Sequence, residues 1–150
     1  MTRIEKQVVI GRPLNEVLAF ARDWRNIPKY FDYIQTVKPL TDKTDRPGAK
    51  LLVNLTFMGR KMTSEWEVMA YDAAKGWTVK TPLMGIEPTK TWSFVPAGET
   101  TRTSFTLEYE PAPPVIGPLV DGLLLRRKWD KLCERGMLNL KRIIEAEPTK

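Results

Sequence analysis

Six consecutive segments in the middle of the chain alternate apolar and polar residues with a period of two, and turn-forming residues separate them. This period places every second side chain on the same face of a β-strand, so each segment predicts a strand with one apolar and one polar face. Strands joined by short turns pair as an antiparallel meander, whose apolar face must be covered by another layer of the chain. The predicted strands span residues 34–40, 49–58, 61–70, 77–83, 92–94 and 101–110.

The segments on either side of this meander supply the covering layer. A first strand is predicted over residues 4–10, and Gly11-Arg12-Pro13 ends it. Apolar residues spaced three and four apart predict a helix over residues 14–24, and a second short helical piece follows near Pro28. A proline-rich linker at residues 111–114 excludes helix and central strand. After it, residues 116–146 have the length and the apolar stripe of a long helix.

The order of these elements and the segment IGRPLNEVLAFARDWRNIPKYFDYI, with a proline at the helix start, resemble the START-related, polyketide-cyclase-like superfamily. The resemblance covers essentially the whole chain and implies a single α+β domain over residues 1–150. It implies the helix-grip fold of the birch-pollen allergens: a seven-stranded antiparallel sheet wrapped around a long C-terminal helix, with two short helices after the first strand. It also implies an elongated apolar cavity between sheet and helix. No catalytic signature belongs to the superfamily as a whole, so the resemblance predicts fold rather than chemistry.

Two features of the composition exclude several kinds of chemistry. The chain has no histidine, which excludes a Ser-His-Asp triad, a Cys-His dyad and a His-ligated zinc site. Its one cysteine, Cys133, excludes an intrachain disulfide and favours a reducing, cytoplasmic compartment. A metal site would need carboxylates and carbonyls, and the predicted inward faces carry no cluster of them. We therefore expect no metal and no redox cofactor.

The net charge of +6 is spread along the chain, which favours the mixed surface of a soluble protein over a nucleic-acid partner. The one local cluster, Arg126, Arg127 and Lys128, is interpreted as a solvated helix face, with weak contact to an anionic membrane or docking to a ligand's anionic group as the alternatives. No apolar run approaches the ~20 residues that a membrane-spanning helix needs. The start MTRIEKQVVI lacks the apolar core of a signal peptide.

The predicted inward faces are apolar and aromatic, with a few hydroxyl groups among them. Core packing explains the inward position of the tryptophans, and an aromatic-lined pocket for a flat or apolar ligand is the alternative. The hydroxyls would bond to nearby backbone or orient a ligand oxygen. Because the resemblance favours a pocket, these residues are candidate ligand-binding residues: Phe57, Ser64, Trp66, Thr81, Trp92, Phe105, Tyr109 and Leu123.

Two other features of the sequence can each be interpreted in more than one way. The glycines at 122 and 136 interrupt the long helix, and they indicate close packing on the sheet, a helix break, or room for a ligand beside the helix. A group of aromatic and apolar residues is either pinned to the core or forms a mobile lid over the cavity mouth. This group consists of Tyr30, Phe31, Tyr33, Met84 and Ile86.

The sequence leaves functions of different classes open. The first is binding or transport of a small hydrophobic molecule, such as a lipid, isoprenoid, quinone or polyketide. The second is a polyketide cyclase/dehydrase-type enzyme whose pocket orients a reactive chain, with Tyr109, Ser64 or Tyr33 as proton donor. The lack of histidine and of an inward carboxylate weighs against efficient acid–base catalysis. A protein-interaction module, as in relatives that stimulate a chaperone ATPase, is a third class for which no motif is present.

Overall fold

The structure, a computed structural model, describes residues 1–110 and 122–148. The helices in these residues are α1 (Leu14–Ala21), α2 (Ile27–Tyr30) and α3 (Gly122–Ala146), and a one-turn 3-10 helix (Trp24–Asn26) lies between the first two. The strands are β1 (Thr2–Ile10), β2 (Ile34–Pro39), β3 (Lys50–Phe57), β4 (Arg60–Asp72), β5 (Gly76–Lys80), β6 (Thr89–Ala97) and β7 (Thr100–Tyr109).

The strands form one seven-stranded sheet in the order β1-β7-β6-β5-β4-β3-β2. Every neighbouring pair is antiparallel, which confirms the predicted meander from β2 to β7. β1 completes the sheet by pairing with β7, so that Lys6 lies opposite Phe105. With the short helices after β1 and the long helix near the C-terminus, this arrangement confirms the predicted α+β helix-grip fold.

The long helix α3 lies against β1, and polar contacts at two levels hold it there. The Lys6 ammonium forms an ion pair with Asp130 at 3.0 Å. At the end of β1, the Gly11 amide donates a hydrogen bond of 2.7 Å to the Glu145 carboxylate. The apolar stripe of α3 thereby faces the interior, and its buried residues are Leu125, Trp129, Leu132, Cys133, Met137, Leu140 and Ile144.

The first helix is shorter than the apolar spacing predicts. α1 ends at Ala21, and the Asp23 carboxylate accepts a hydrogen bond of 3.0 Å from the Arg25 amide at the start of the 3-10 helix. An aspartate that bonds to nearby backbone amides competes with helix continuation, which explains the early end. The predicted linker at 111–114 and the predicted helix start at 116–121 lie outside the described residues.

Two connections are tight turns, and the first differs from the predicted strand boundaries. The turn between β3 and β4 consists of Met58 and Gly59, with φ of 51° and 79°, rather than residues 59–60. The connection through Met84 and Gly85 is an equally tight turn between the bridged residues 83 and 86. Both turns place a methionine in the left-handed region, where a side chain is strained.

One strand face differs as well. The register between β4 and β5 shifts between Val68 and Ala70, so Ala70 is exposed instead of continuing the inward face. A β-bulge inserts an extra residue into one strand and thereby exchanges the two faces beyond it. Upstream of the bulge the inward face is as predicted, because Ser64, Trp66 and Val68 are all buried. Within residues 1–110 and 122–148, no helix combines the length and the apolar character needed to span a bilayer.

Candidate functional site

A lysine lies in the interior of the protein. Lys90, Trp92 and Phe94 alternate along β6 and all point inward, and Lys90 is only 3% exposed. The side chains at 91 and 93 point to the other face, as the two-residue period of a strand requires. The fold therefore places an amine on the same buried surface as two large aromatic rings.

Three aromatic rings surround the Lys90 ammonium, and we call Lys90 with these rings the aromatic cage. Its Nζ lies 4.6 Å from the ring centroid of Trp66, 5.3 Å from that of Tyr33 and 5.3 Å from that of Trp129. The same Nζ donates a hydrogen bond of 2.7 Å to the Tyr33 hydroxyl oxygen. β4, β6, α3 and the segment before β2 each contribute one residue, so the cage forms only in the folded chain. Cation–π contacts of this kind partly replace the water that the ammonium loses.

The cage holds no counter-charge within the part of the chain that the structure describes. No described acidic side chain forms an ion pair with Lys90. Burial disfavours the charged amine and lowers the pKa of Lys90 to about 7. The nearby Cys133 thiol does not supply a charge, because its own burial raises its pKa to about 12. Burial also raises the pKa of Tyr33 well above its ordinary value. Near neutral pH the amine is therefore poised between its charged and neutral forms.

A second donor of the cage has no partner. The indole Nε1 of Trp129 is fully buried and has no hydrogen-bond partner among the described residues. Its ring stacks on Phe57 with centroids 4.6 Å apart. The tryptophan of β6 differs, because Trp92 Nε1 donates a hydrogen bond of 3.1 Å to the Tyr30 hydroxyl. A buried N–H without a partner costs free energy, so the Trp129 indole marks a place where an acceptor would stabilise the protein.

Seven of the eight candidate ligand-binding residues are buried on the inward face. The exception is Leu123, whose side chain is 57% exposed on α3 and does not line the interior; Leu124 is exposed as well. The predicted apolar stripe extends too far towards the start of α3. The helix presents Leu125 to the sheet and leaves Leu123 and Leu124 exposed. Whether the seven buried residues contact a ligand stays a prediction. They are Phe57, Ser64, Trp66, Thr81, Trp92, Phe105 and Tyr109.

The inward hydroxyls divide into two groups. Ser64 donates to the Pro82 carbonyl and Thr81 to the Pro88 carbonyl, so both are satisfied by neighbouring backbone. Thr103 Oγ1 is buried without a partner among the described residues. The Tyr109 hydroxyl lies beside the Thr2 side chain on the paired strand without full hydrogen-bond geometry, and burial raises its pKa. The hydroxyl protons of Ser64 and Thr81 are thus used within the fold, whereas Thr103 and Tyr109 have unused hydrogen-bonding capacity as far as the described residues show.

The residues considered as a lid belong to the core, apart from one. Tyr30, Phe31 and Tyr33 are all buried, whereas Met84 is exposed at its turn. Phe31 lies in the middle, with its ring centroid 5.0 Å from Phe105. The absence of a side chain at Gly136 makes room for this ring, because a Cβ there would lie 2.1 Å from Phe31 Cε1. Gly136 therefore serves close packing rather than space for a ligand.

Lys90 is not among the site residues predicted from the sequence. A signal is present, because residue 90 has the same phase as Trp92 and Phe94 in the alternating strand. The predicted strand begins at 92, two residues too late to include it. A lysine in phase with two inward aromatic residues is the pattern that could have revealed the site.

Two further features lie outside the aromatic cage. Arg126, Arg127 and Lys128 are exposed on α3, next to the exposed Leu123 and Leu124. This agrees with their interpretation as a solvated helix face. Among the described residues, no three cysteine, aspartate or glutamate side chains cluster in a way that could hold a metal ion.

Comparisons with known proteins agree with this architecture. A family model described as polyketide cyclase/dehydrase and lipid transport matches residues 1–145. The chain is similar to a structure from Thermus thermophilus, with a TM-score of 0.80, 21% identity and coverage of 99% of this chain and 100% of that chain. None of the curated protein sequences matches the chain significantly.

Two further similar structures are an aromatase/cyclase and a START superfamily protein. The Zhui aromatase/cyclase from Streptomyces sp. R1128 matches with a TM-score of 0.77 and 11% identity, covering 96% of this chain and 93% of that chain. A START superfamily protein from Mycobacterium smegmatis matches with a TM-score of 0.67 and 19% identity, covering 95% and 94%. Identities this low establish a shared fold and carry no residue roles.

Proposed function

The chain belongs to the polyketide cyclase/dehydrase and lipid transport family, and on that premise we propose that it binds or transports a small hydrophobic ligand, such as a lipid, isoprenoid, quinone or polyketide, between the sheet and α3. The inward faces supply an apolar and aromatic lining. Such a lining with a few placed polar groups is typical of small-molecule sites.

The observation that carries this proposal is the buried Lys90. Taking an ammonium out of water without an ionic partner is costly, and an apolar residue of similar volume would leave the fold as stable or more stable. Lys90 is 3% exposed and forms no ion pair with a described residue. A core that serves stability alone does not need this amine. Its presence among aromatic rings is accounted for by a molecule that the amine contacts.

Native mass spectrometry of freshly purified protein tests binding directly. We expect an adduct of defined mass that disappears after extraction with organic solvent. Cys133→Phe adds bulk beside the cage and is expected to lower the occupancy of the adduct. Leu138→Phe adds bulk at an exposed position of α3 and should leave the occupancy unchanged. A folded wild-type protein that carries no adduct and takes up no neutral apolar dye would refute the proposal.

The second candidate is a polyketide cyclase/dehydrase-type enzyme, and the contact between Lys90 and Tyr33 favours it. An amine whose pKa is about 7 can accept a proton from an activated carbon near neutral pH. The Tyr33 hydroxyl, 2.7 Å away, can donate a proton to the oxygen that becomes negative. This pair supplies an acid–base function for which the sequence offers no histidine and no inward carboxylate.

Turnover of a poly-β-ketone analogue separates the two candidates. If the protein is a cyclase, it converts the analogue, and Lys90→Met lowers the rate by ~100-fold or more, as loss of a general base does. The exposed Lys61→Met serves as control for a lost positive charge. A protein that binds the analogue and returns it unchanged is a carrier.

Contact with a membrane is a separate prediction. The exposed Leu123 and Leu124 next to Arg126, Arg127 and Lys128 combine apolar and basic side chains on one part of α3. Basic clusters of this kind are attracted to anionic lipid headgroups. Co-sedimentation with phosphatidylserine vesicles should therefore exceed that with phosphatidylcholine vesicles, and replacing the three basic residues with glutamine should remove the difference.

A further inference from the structure

The aromatic cage contains more hydrogen-bond donors than acceptors. An ammonium has three N–H donors, and only one of those on Lys90 has a hydrogen-bond acceptor among the described residues, the Tyr33 hydroxyl. The N–H of Trp129, another member of the cage, is buried and has no hydrogen-bond partner within residues 1–110 and 122–148. The Tyr33 hydroxyl accepts from Lys90 and still has its own proton to donate. Three different side chains therefore offer unused donors at one buried place.

The aromatic cage also has an excess of positive charge. Among the described residues, the titratable groups that face Lys90 are Tyr33 and the Cys133 thiol of α3, and burial keeps both in their neutral forms at neutral pH. Beyond Cys133, Asp130 is paired with Lys6 at 3.0 Å and contributes no free negative charge. An anionic oxygen placed in the cage would accept from the donors and balance the ammonium at once.

From this excess of donors and positive charge we infer that the ligand is an apolar molecule carrying an anionic oxygen group, such as a carboxylate or an enolate, and that Lys90 binds this group within the aromatic cage. The inference rests on the proposed ligand-binding function and adds the chemical class of the ligand. The rings of Trp66 and Trp129 provide the apolar surface beside the anion. A neutral apolar molecule would leave the donors of the cage without partners.

Two fluorescent dyes with the same scaffold test this inference. 1-Anilinonaphthalene-8-sulfonate carries an anionic group, and N-phenyl-1-naphthylamine is the same ring system without it. We expect Lys90→Met to weaken binding of the sulfonate by about tenfold or more, the loss of a charge-assisted hydrogen bond, and to change the affinity of the neutral dye less than about twofold. Lys61→Met, an exposed site on the outward face of β4, should leave both affinities unchanged.

The pH dependence of binding gives a test that needs no variant. The sulfonate keeps its charge throughout, so its affinity for the wild-type protein should fall as pH rises from 6 to 9 and Lys90 loses its proton. The neutral dye should show no such fall. In Lys90→Met, the affinity for the sulfonate should not change with pH in this range.

Each result has a definite meaning. Equal loss of both dyes in Lys90→Met, or loss of neither, overturns the inference while the proposed binding function stands. Loss of sulfonate binding after Arg126, Arg127 and Lys128 are replaced with glutamine, but not in Lys90→Met, also overturns it, because the anion is then held at the surface. If the wild-type protein binds neither dye, the inference and the proposed function both fail.

Discussion

Gly136 of α3 lies directly against the ring of Phe31, and a Cβ added at this glycine would lie 2.1 Å from Phe31 Cε1 and 2.3 Å from Cδ1. The ring cannot easily move away, because its centroid is 4.9 Å from that of Tyr30 and 5.0 Å from that of Phe105. The close approach of α3 to the residue that follows α2 therefore depends on the missing side chain.

Gly136→Ala should destabilise the protein despite the higher helix propensity of alanine. The extra methyl group forces a shift in a packed aromatic cluster, which costs about 1–3 kcal/mol. Gly122→Ala is the matched control, because no atom of the described residues lies within 4 Å of a Cβ at that position of α3. It should be neutral or stabilising by up to about 1 kcal/mol. Urea denaturation of both variants measures the difference, and equal free energies of unfolding would contradict the packing argument.

Tyr33→Phe should destabilise the protein through Lys90. The substitution keeps the ring, whose centroid is 5.7 Å from that of Trp129, and removes the hydroxyl that accepts from Lys90 Nζ. Leaving a buried amine without its acceptor costs about 1–3 kcal/mol. In a Lys90→Met background the same substitution should cost less, because no donor is left unpaired. A double-mutant cycle by urea denaturation measures this coupling, and additive effects would show that the hydrogen bond contributes nothing.

Two methionines lie in tight turns where a substitution should stabilise the protein. Met58 and Met84 have φ of 51° and 50°, each precedes a glycine, and each is more than a third exposed. Asparagine tolerates the left-handed region better than methionine, so Met58→Asn and Met84→Asn should each stabilise the protein by about 0.5–1 kcal/mol. Met69→Asn is the control: Met69 is exposed but lies in β4 without a positive φ, so no gain is expected. Melting temperatures of the three variants and the wild-type protein measure the effect. Equal melting temperatures for all of them would contradict the prediction.

Most of the fold could be predicted from the sequence because the strands alternate regularly. In runs such as Thr103, Phe105 and Leu107, the alternation determines which face of the strand is buried. Short turns determine which strands pair with each other. The prediction fails where a local feature interrupts the period. The bulge before Ala70 exchanges the faces of β4, and the Asp23 side chain ends α1 early. Both are single-residue effects that an average over a window does not show.

The candidate site was less predictable because burial of a charged residue breaks the pattern on which the prediction depends. Lysine is expected outside, so Lys90 at the start of β6 falls outside the predicted strand. The contacts that define its role come from Tyr33, Trp66 and Trp129, which are distant in sequence and meet only in the folded chain. Leu123 shows the opposite error, since an apolar residue in an apolar run is predicted to lie in the interior and is exposed.

The stability of the wild-type protein should rise between pH 7 and pH 9, and Lys90 is the reason. Burial lowers the pKa of Lys90 in the folded state to about 7, from an ordinary value of 10.5. In this window the unfolded chain holds a proton that the folded chain has released, so the free energy of unfolding increases with pH, by up to ~1.4 kcal/mol per pH unit. Above pH 9 the rise should level off, because unfolding then also frees Cys133 to ionise at its ordinary pKa of 9.0 instead of about 12, which offsets the contribution of Lys90.

Lys90→Met should remove the rise and stabilise the protein most at low pH, where the wild-type protein buries a charged amine. Replacing a buried charge with an apolar residue of similar size is worth up to ~4 kcal/mol in favourable cases. The two proteins should therefore differ most at pH 6 and converge towards pH 9. Urea denaturation at pH 6, 7, 8 and 9 measures both curves, with Lys61→Met as the control that should follow the wild-type curve. Parallel curves for wild type and Lys90→Met would show that the amine in the aromatic cage does not titrate in this range.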